Sequence, residues 1–190
     1  MQLSGRFDDA LLYASQLHAR QVRKASDVPY LAHLLAVAAI VLEHGATEDE
    51  AIAALLHDAI EDQGGAATRQ EIGRRFGPRV VEIVDGCTDC DVTPKPPWRA
   101  RKEAYIAHLE HASPSVRLVS AADKLHNARS VLSDYRRLGE SLWQHFQGGK
   151  QGTLWYYRAV TDALKAHGPH PLVDELDRVV CDVEQMAQES

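Results

Sequence analysis

Apolar residues recur along this chain mostly at spacings of three and four residues, and few stretches alternate between apolar and polar positions. The first pattern is typical of amphipathic helices and the second of strands, so the sequence predicts an all-α protein. The predicted helices span residues 7–21, 31–43, 47–60, 68–76, 79–86, 98–111, 115–138, 153–166 and 171–187. The proline-rich segment 88–97 and the glycine-rich segment 147–152 are predicted connections. Because no repeat or low-complexity segment divides the chain, we expect a single helical bundle domain over residues 1–190.

The third predicted helix has the clearest start and the most apolar sequence. Thr47 is a typical N-cap residue, and Glu50 follows three positions later, which completes a capping box. Residues 51–56 read AIAALL and contain no polar side chain. A helix that is apolar on every side is buried, so we expect this helix in the core.

The composition is close to that of an ordinary soluble domain. Hydrophobic residues make up 45% and charged residues 25% of the 190 positions, which suits one domain with a sizeable core. The formal net charge of -6 argues against a general nucleic-acid binder, because such proteins use positive charge to displace counterions from phosphates. An anionic substrate would therefore need local positive charge, from a metal ion or from a few Lys and Arg side chains.

Several classes of protein are disfavoured by simple features. No apolar run approaches the roughly 18–20 residues that a membrane span requires. Residues 1–9 lack the basic and apolar regions of a secretory signal, and three cysteines do not make a disulfide scaffold. We therefore expect a cytoplasmic protein with no membrane or nucleic-acid partner, and we leave open whether it forms a homo-oligomer.

Four polar residues lie within apolar segments, where an unpartnered charge would be costly. They are His33, the adjacent pair His57 and Asp58, and Asp123. Two imidazoles and two carboxylates suit a divalent transition metal such as Mn²⁺, Fe²⁺ or Zn²⁺, and they leave coordination positions open for water and substrate. Taken singly, a histidine on an apolar face is more often a core or capping residue, and an aspartate more often an N-cap or ion-pair partner.

Two further carboxylates follow the His-Asp pair. Glu61 and Asp62 lie three and four residues beyond Asp58, so all three share a face if the helix continues. Like charges at that distance repel unless a cation or a proton intervenes, which again favours a metal. A carboxylate beside a metal-bound water can orient that water or take its proton. The alternative is a solvated acidic helix end before Gly64 and Gly65.

Three ordered segments carry a resemblance to a known family. The first, residues 23–33, holds RK at 23–24 and PYLAH at 29–33; the second, residues 55–62, reads LLHDAIED; and the third, residues 122–129, reads ADKLHNAR. The set resembles the HD superfamily of metal-dependent phosphohydrolases and, more narrowly, the hydrolase domain of RelA/SpoT proteins. The resemblance covers residues 7–130 well and the C-terminal helices only loosely.

The resemblance implies an enzyme that removes the 3′-pyrophosphate from the alarmone (p)ppGpp, usually with Mn²⁺, although other divalent transition metals remain open. It assigns the metal to His33, His57, Asp58 and Asp123, and the catalytic acidic pair to Glu61 and Asp62. It assigns nucleotide contacts to Arg23 and Lys24 and a ribose contact to Asn127. The substrate would be a small nucleotide.

This sequence departs from the family pattern in places. Leu34 stands where RelA/SpoT enzymes usually have proline directly after the first histidine. In addition, no segment matches the synthetase half of the long family members, so the sequence is more similar to the stand-alone small alarmone hydrolases. The segments 88–98 and 155–157 match no pattern of the family, which leaves (p)ppApp open as a second substrate. Two other functions stay open, a nucleotidase acting on 5′-nucleotides and an HD module that senses a nucleotide without hydrolysing it.

Other pairs of metal-binding residue types have plainer interpretations. Cys87 and Cys90 form a C-x-x-C pair, but a zinc ribbon would need a second such pair and Cys181 stands alone. His108 and His111 lie among glutamates on an amphipathic helix, which indicates a solvated face.

Overall fold

A computed structural model of the chain describes residues 2–90 and 94–189. These residues form ten α-helices and one 3-10 helix with no β-strand, so the all-α prediction is confirmed. The helices are α1 (Gly5–Leu17), α2 (Leu31–Glu43), α3 (Glu48–Leu56), α4 (Ala59–Asp62), α5 (Gly65–Phe76), α6 (Pro78–Cys87), α7 (Trp98–Leu109), α8 (Pro114–Leu138), the 3-10 helix (Gly139–His145), α9 (Gly149–Lys165) and α10 (Pro171–Gln188). Part of the predicted loop 88–97, residues 91–93, lies outside the described residues. Across residues 2–90 and 94–189, we find no helix with the length and apolar character that crossing a bilayer demands.

The described residues group into two compact units. The first holds α1 to α6 and the part of α8 up to Ala122, and the second holds α7, α8 from Asp123 onward, the 3-10 helix, α9 and α10. The single domain expected over residues 1–190 stays a prediction.

Helix α3 is the centre of the first unit and packs against α1, α2 and α6. Its residues Ala51–Leu56 are all fully buried, as the run of apolar positions predicts. Each fully buried Leu or Ile side chain contributes about 1.5–3 kcal/mol to stability. The start of α3 is also as predicted, because Thr47 Oγ1 accepts from the backbone N–H of Glu50 and Glu50 returns a bond to the N–H of Thr47.

The helix predicted over residues 47–60 is interrupted at His57 and Asp58. Helix α3 ends at Leu56, and the one-turn helix α4 begins at Ala59. His57 Nδ1 lies 2.8 Å from the carbonyl oxygen of Ala54, which is the acceptor that the N–H of Asp58 would use in a continuous helix. Asp58 adopts φ -98° and ψ -1°, outside the usual helical values. The interruption therefore places the His-Asp pair at a turn between two helices.

Helix α1 is shorter than the predicted 7–21, because the chain turns after Leu17. His18 forms the C-cap of α1, and its backbone N–H bonds to the carbonyl of Ala14. The following segment doubles back on itself: the N–H of Tyr30 donates to the carbonyl of Gln21 at 2.8 Å. This turn brings the end of α1 next to the start of α2.

The second unit is built around α9 and α10. Arg158 on α9 donates to Asp177 and Glu184 of α10, with distances of 2.6 Å to each. Trp98, at the start of α7, lies against two glycines of the predicted connection, and a Cβ atom at Gly148 would meet the indole ring at 2.6 Å. The connection predicted over residues 147–152 is thus partly helical, because α9 begins at Gly149.

Candidate active site

Three predicted metal ligands converge in the first unit. His33 comes from the first turn of α2, and His57 and Asp58 come from the turn between α3 and α4. The Nε2 atoms of the two histidines lie 3.3 Å apart, and Asp58 Oδ2 lies 3.0 Å from His57 Nε2 and 3.7 Å from His33 Nε2. Both imidazoles are buried, at 1% and 2% exposure, while the Asp58 side chain is 23% exposed. These three candidate ligands are therefore mostly buried, and Asp58 is the one that solvent reaches.

The spacing of these three atoms fits a bound metal ion. With metal–ligand distances of about 2.0–2.2 Å, neighbouring ligand atoms lie about 2.8–3.6 Å apart for coordination angles between octahedral and tetrahedral. The separations of 3.0 and 3.3 Å fall inside this range, and that of 3.7 Å exceeds it by 0.1 Å. Imidazole nitrogen with carboxylate oxygen is also a donor set that divalent transition metals accept.

The hydrogen bonding of His57 prepares it to bind a metal through Nε2. Its Nδ1 atom faces a backbone carbonyl at 2.8 Å, and a carbonyl only accepts, so Nδ1 carries the hydrogen. The Nε2 atom then holds a lone pair directed at His33 and Asp58. A partner of this kind on the second ring nitrogen is the usual way in which proteins orient a metal-binding histidine.

Tyr30 supports Asp58, and the sequence analysis did not select it. The Tyr30 hydroxyl donates to Asp58 Oδ2 at 2.5 Å. Its ring stacks on His18 at 5.3 Å with an interplanar angle of 19° and meets His33 edge-on. A signal was present, because Tyr30 lies three residues before His33 at the start of α2, where both side chains share one face.

Glu61 is held by the loop that follows α6. Lys95 Nζ lies 2.8 Å from Glu61 Oε1, and the backbone N–H of Asp89 donates to Oε2 at 3.3 Å. The Lys95 side chain is 42% exposed and that of Glu61 19%, so the carboxylate is the less exposed partner of this ion pair. Neither Lys95 nor Asp89 was among the predicted site residues, because both lie in a segment without periodicity.

Asp62 lies one helical turn beyond Asp58, and its backbone N–H bonds to the carbonyl of Asp58 at 3.0 Å. Gln21 Nε2 donates to Asp62 Oδ2 at 2.7 Å. Asp62 is exposed overall, yet its pKa is raised above the usual value. The largest cause is burial of the carboxylate by the surrounding protein atoms, and the next is the charge on Asp58. The hydrogen bond from Gln21 lowers the pKa but does not cancel these effects. The like-charge proximity predicted for these carboxylates is therefore present, although α4 is a separate helix.

The predicted basic pair lies in the turn between α1 and α2. This turn is closed by an isolated bridge between Val22 and Pro29, and it carries Arg23 partly buried and Lys24 exposed. The Arg23 guanidinium carbon lies 5.6 Å from the centroid of the Tyr30 ring. Since Tyr30 also bonds to Asp58, Arg23 is two contacts away from the ligand set.

The remaining predicted residues, Asp123 and Asn127, lie on α8 in the second unit. Asp123 is buried, and its carboxylate accepts from the Asn127 amide and from the Lys124 ammonium, both at 2.5 Å. Burial by itself would lower the pKa of Lys124, but electrostatic attraction to Asp123, Tyr156 and Tyr105 outweighs it and holds that pKa well above its usual value. The roles of Asp123 as a metal ligand and of Asn127 as a ribose contact stay predictions.

Comparison with known proteins identifies the fold family. Residues 10–154 match the HD domain family. The chain belongs to the HD domain family. The match covers more than half of the chain and includes every residue predicted for the site, from Arg23 to Asn127. The family resemblance proposed from the three sequence segments is thus confirmed.

Named relatives of this HD domain protein share most of its length. It is 33% identical over 179 residues to a guanosine-3′,5′-bis(diphosphate) 3′-pyrophosphohydrolase, MESH1, of Xenopus tropicalis, and the match covers 92% of each chain. It is 39% identical over 134 residues to a GTP pyrophosphokinase, rsh, of Brucella ovis, of which it spans 18%. Its structure is similar, with a TM-score of 0.79 and 26% identity, to one described as a metazoan ortholog of SpoT that hydrolyses ppGpp, covering 94% of this chain and 96% of that one.

Proposed function

We propose that this HD domain protein is a metal-dependent hydrolase that removes the 3′-pyrophosphate from (p)ppGpp, with (p)ppApp as a second substrate. The observation that carries the proposal is the convergence of His33, His57 and Asp58 within 4.8 Å, followed one turn later by Glu61 and Asp62. The similarity over 92% of the chain to a protein named as a ppGpp 3′-pyrophosphohydrolase supports the choice of substrate.

In this proposal the metal is held by His33, His57 and Asp58, and the family resemblance adds Asp123 as a fourth ligand. The family favours Mn²⁺, and a mixed imidazole and carboxylate set also accepts other divalent transition metals. A bound divalent metal supplies Lewis acidity, which lowers the pKa of a coordinated water. We also propose a cytoplasmic location, as the sequence predicts.

The reaction that we propose consumes one water and needs a proton acceptor. A water oxygen bonds to the phosphorus attached to the 3′ oxygen, the bond between that phosphorus and the 3′ oxygen breaks, and pyrophosphate leaves. Glu61 and Asp62 position the water, and one of them takes its proton, while the released 3′ oxygen takes up a proton. A carboxylate whose pKa is raised, as that of Asp62 is, suits this exchange because it holds and releases a proton more readily near neutral pH.

The substrate contacts follow the family resemblance. Arg23 and Lys24 supply the local positive charge that a chain with net charge -6 needs in order to hold a polyphosphate. The contact of Arg23 with the Tyr30 ring places its guanidinium on the same turn that supports Asp58. Asn127 is assigned to the ribose.

Incubation of the Mn²⁺-loaded protein with ppGpp and ppApp tests the proposal directly. We expect release of pyrophosphate, and in water enriched in ¹⁸O the label should enter pyrophosphate rather than the nucleotide. Asp58→Ala should lose both Mn²⁺ binding and turnover, whereas Glu61→Gln should retain Mn²⁺ and lose turnover. No pyrophosphate from either alarmone would refute the proposal.

Two outcomes would point to the functions that compete with it. Release of inorganic phosphate from 5′-mononucleotides, with alarmones unchanged, would indicate a nucleotidase. Tight binding of ppGpp without hydrolysis in saturating Mn²⁺ would indicate a sensor. Repeating the assay with Mg²⁺, Zn²⁺ and Fe²⁺ would determine which metal supports the reaction.

A further inference from the structure

A chain of hydrogen bonds behind Asp62 connects it to a buried histidine of α1. Gln21 Nε2 donates to Asp62 Oδ2 at 2.7 Å. The other end of the same amide, Gln21 Oε1, contacts His18 Nδ1 at 2.7 Å and Gln63 Nε2 at 2.6 Å. Sequence reasoning assigned no role to any of these three supporting residues.

The contacts of Gln21 permit one orientation of its amide. The Gln63 amide nitrogen can only donate, so the Gln21 atom that faces it must be the oxygen. That oxygen also receives the hydrogen of His18 Nδ1. The Gln21 NH₂ group is thereby turned toward Asp62, and Asp62 Oδ2 is committed to accepting a bond. Among the described residues, Asp62 Oδ1 makes no hydrogen bond, so it is the oxygen that can accept one from a water.

His18 acts in this chain as a donor only. Its side chain is buried, with 2% of the residue exposed, and its Nε2 atom has no hydrogen-bond partner among the described residues. Because Gln21 Oε1 only accepts, His18 Nδ1 carries the hydrogen of this contact. The ring is held in place by stacking on Tyr30, 5.3 Å away. The segment between α1 and α2 thus supports two carboxylates of the site, Asp58 through Tyr30 and Asp62 through Gln21.

We infer that Gln21, locked by His18 and Gln63, is a positioning residue that holds the Asp62 carboxylate with Oδ1 directed toward the reacting water. The inference rests on the proposed function for its catalytic consequence. Its structural part, that the Gln21 amide keeps Asp62 in place, stands independently of any substrate. A merely structural role for Gln21, closing the turn between α1 and α2, would not depend on which way its amide points.

Gln21→Glu separates these two roles. A glutamate of the same shape still accepts from His18 and Gln63, so the turn stays closed, but it no longer donates to Asp62 and places a like charge beside it. We expect kcat to fall by about 10- to 100-fold, the usual cost of losing such a supporting contact, with KM and Mn²⁺ affinity unchanged. Gln70→Glu, on the exposed side of α5, adds the same charge away from the site and should leave kcat unchanged.

Substitutions of His18 test the donor separately from the packing. His18→Asn keeps an N–H close to the position of Nδ1 and loses the stacking ring, whereas His18→Phe keeps the ring and loses the donor. We expect kcat of His18→Asn to exceed that of His18→Phe. The reverse order would show that His18 acts through its stacking on Tyr30 and would overturn its part in the inference.

Crystal structures of the wild type and of Gln21→Glu, with Gln21→Met as a second variant, supply a readout that needs no activity. The Asp62 carboxylate should leave its wild-type position in both variants. If it stays in place, or if Mn²⁺ affinity falls together with kcat, the positioning role is refuted. If the wild type releases no pyrophosphate, the proposed function fails, and the position of Asp62 in the variants alone then decides the inference.

Discussion

Replacing Tyr30 with phenylalanine removes a single hydroxyl from the candidate active site. The ring that stacks on His18 and meets His33 edge-on is retained, so the packing around α2 should change little. What is lost is the hydrogen bond from the Tyr30 hydroxyl to Asp58 Oδ2, which measures 2.5 Å. The variant therefore isolates the contribution of this bond to metal binding.

The expected effect has a magnitude and a sign that follow from the bond. A hydrogen bond to a charged group contributes about 1.5–3 kcal/mol, and each 1.4 kcal/mol changes an affinity about tenfold. The Kd for Mn²⁺ should therefore rise by about 10- to 100-fold. This is the usual cost of losing a contact that supports a metal ligand. The sign depends on whether the bond persists when the metal binds. A carboxylate oxygen has two lone pairs and can accept from Tyr30 while it binds a cation, so we expect the bond to persist and its loss to weaken binding.

Isothermal titration of the metal-free protein with Mn²⁺ measures this change. Tyr13→Phe serves as the matched control, because Tyr13 lies on α1 against Phe76 and its hydroxyl is not part of the ligand set. The control should bind Mn²⁺ as the wild type does. An unchanged Kd in Tyr30→Phe would refute the reasoning, and tighter binding would show that the Tyr30 bond competes with the metal.

Three further predictions concern stability. Mn²⁺ at 100 times its Kd should stabilise the wild type by about 2.7 kcal/mol, which raises the Tm by about 5–10 °C for a chain of this size. The same Mn²⁺ concentration should not shift the Tm of His57→Ala. Equal shifts in the two proteins would show that His57 does not bind the metal. Arg158→Met should lower the free energy of unfolding in urea by about 1–2 kcal/mol, because two partly exposed carboxylates of α10 lose their shared partner. That loss should shrink in 1 M NaCl, and a salt-independent loss would indicate packing instead. Gly86→Ala should lower the free energy of unfolding by about 1–3 kcal/mol, because its Cβ would lie 2.4 Å from Val116 Cγ2. Adding Val116→Ala to the same chain should recover part of this loss. If the losses of the two single variants simply add in the double variant, the predicted clash is contradicted.

The sequence by itself determined the helical class, most helix boundaries and the three candidate metal ligands that converge. The capping box at Thr47 and the apolar run of α3 are local signals, because capping and helical periodicity depend on neighbours within one turn. His33, His57 and Asp58 could be selected for a similar reason, since a polar side chain inside an apolar helix stands out without knowledge of the fold.

Only the tertiary structure decided how these residues are supported. Tyr30 reaches Asp58 across 28 residues, Gln21 reaches Asp62 across 41, and Lys95 reaches Glu61 across 34. Each of these bonds joins the His-Asp turn or α4 to a residue distant in sequence, Tyr30 and Gln21 in the turn after α1 or Lys95 beyond α6, and no local pattern encodes that approach.

The interruption between α3 and α4 shows the same division. The helical pattern continues through His57 and Asp58, so periodicity predicts one helix to residue 60, with three carboxylates on a common face. In the structure His57 Nδ1 bonds to the carbonyl oxygen of Ala54, and the chain turns before α4 begins. The His57 side chain competes with the backbone for the Ala54 carbonyl. Burial of the His57 ring favours this side-chain bond, and burial is a property of the packed fold rather than of the sequence pattern.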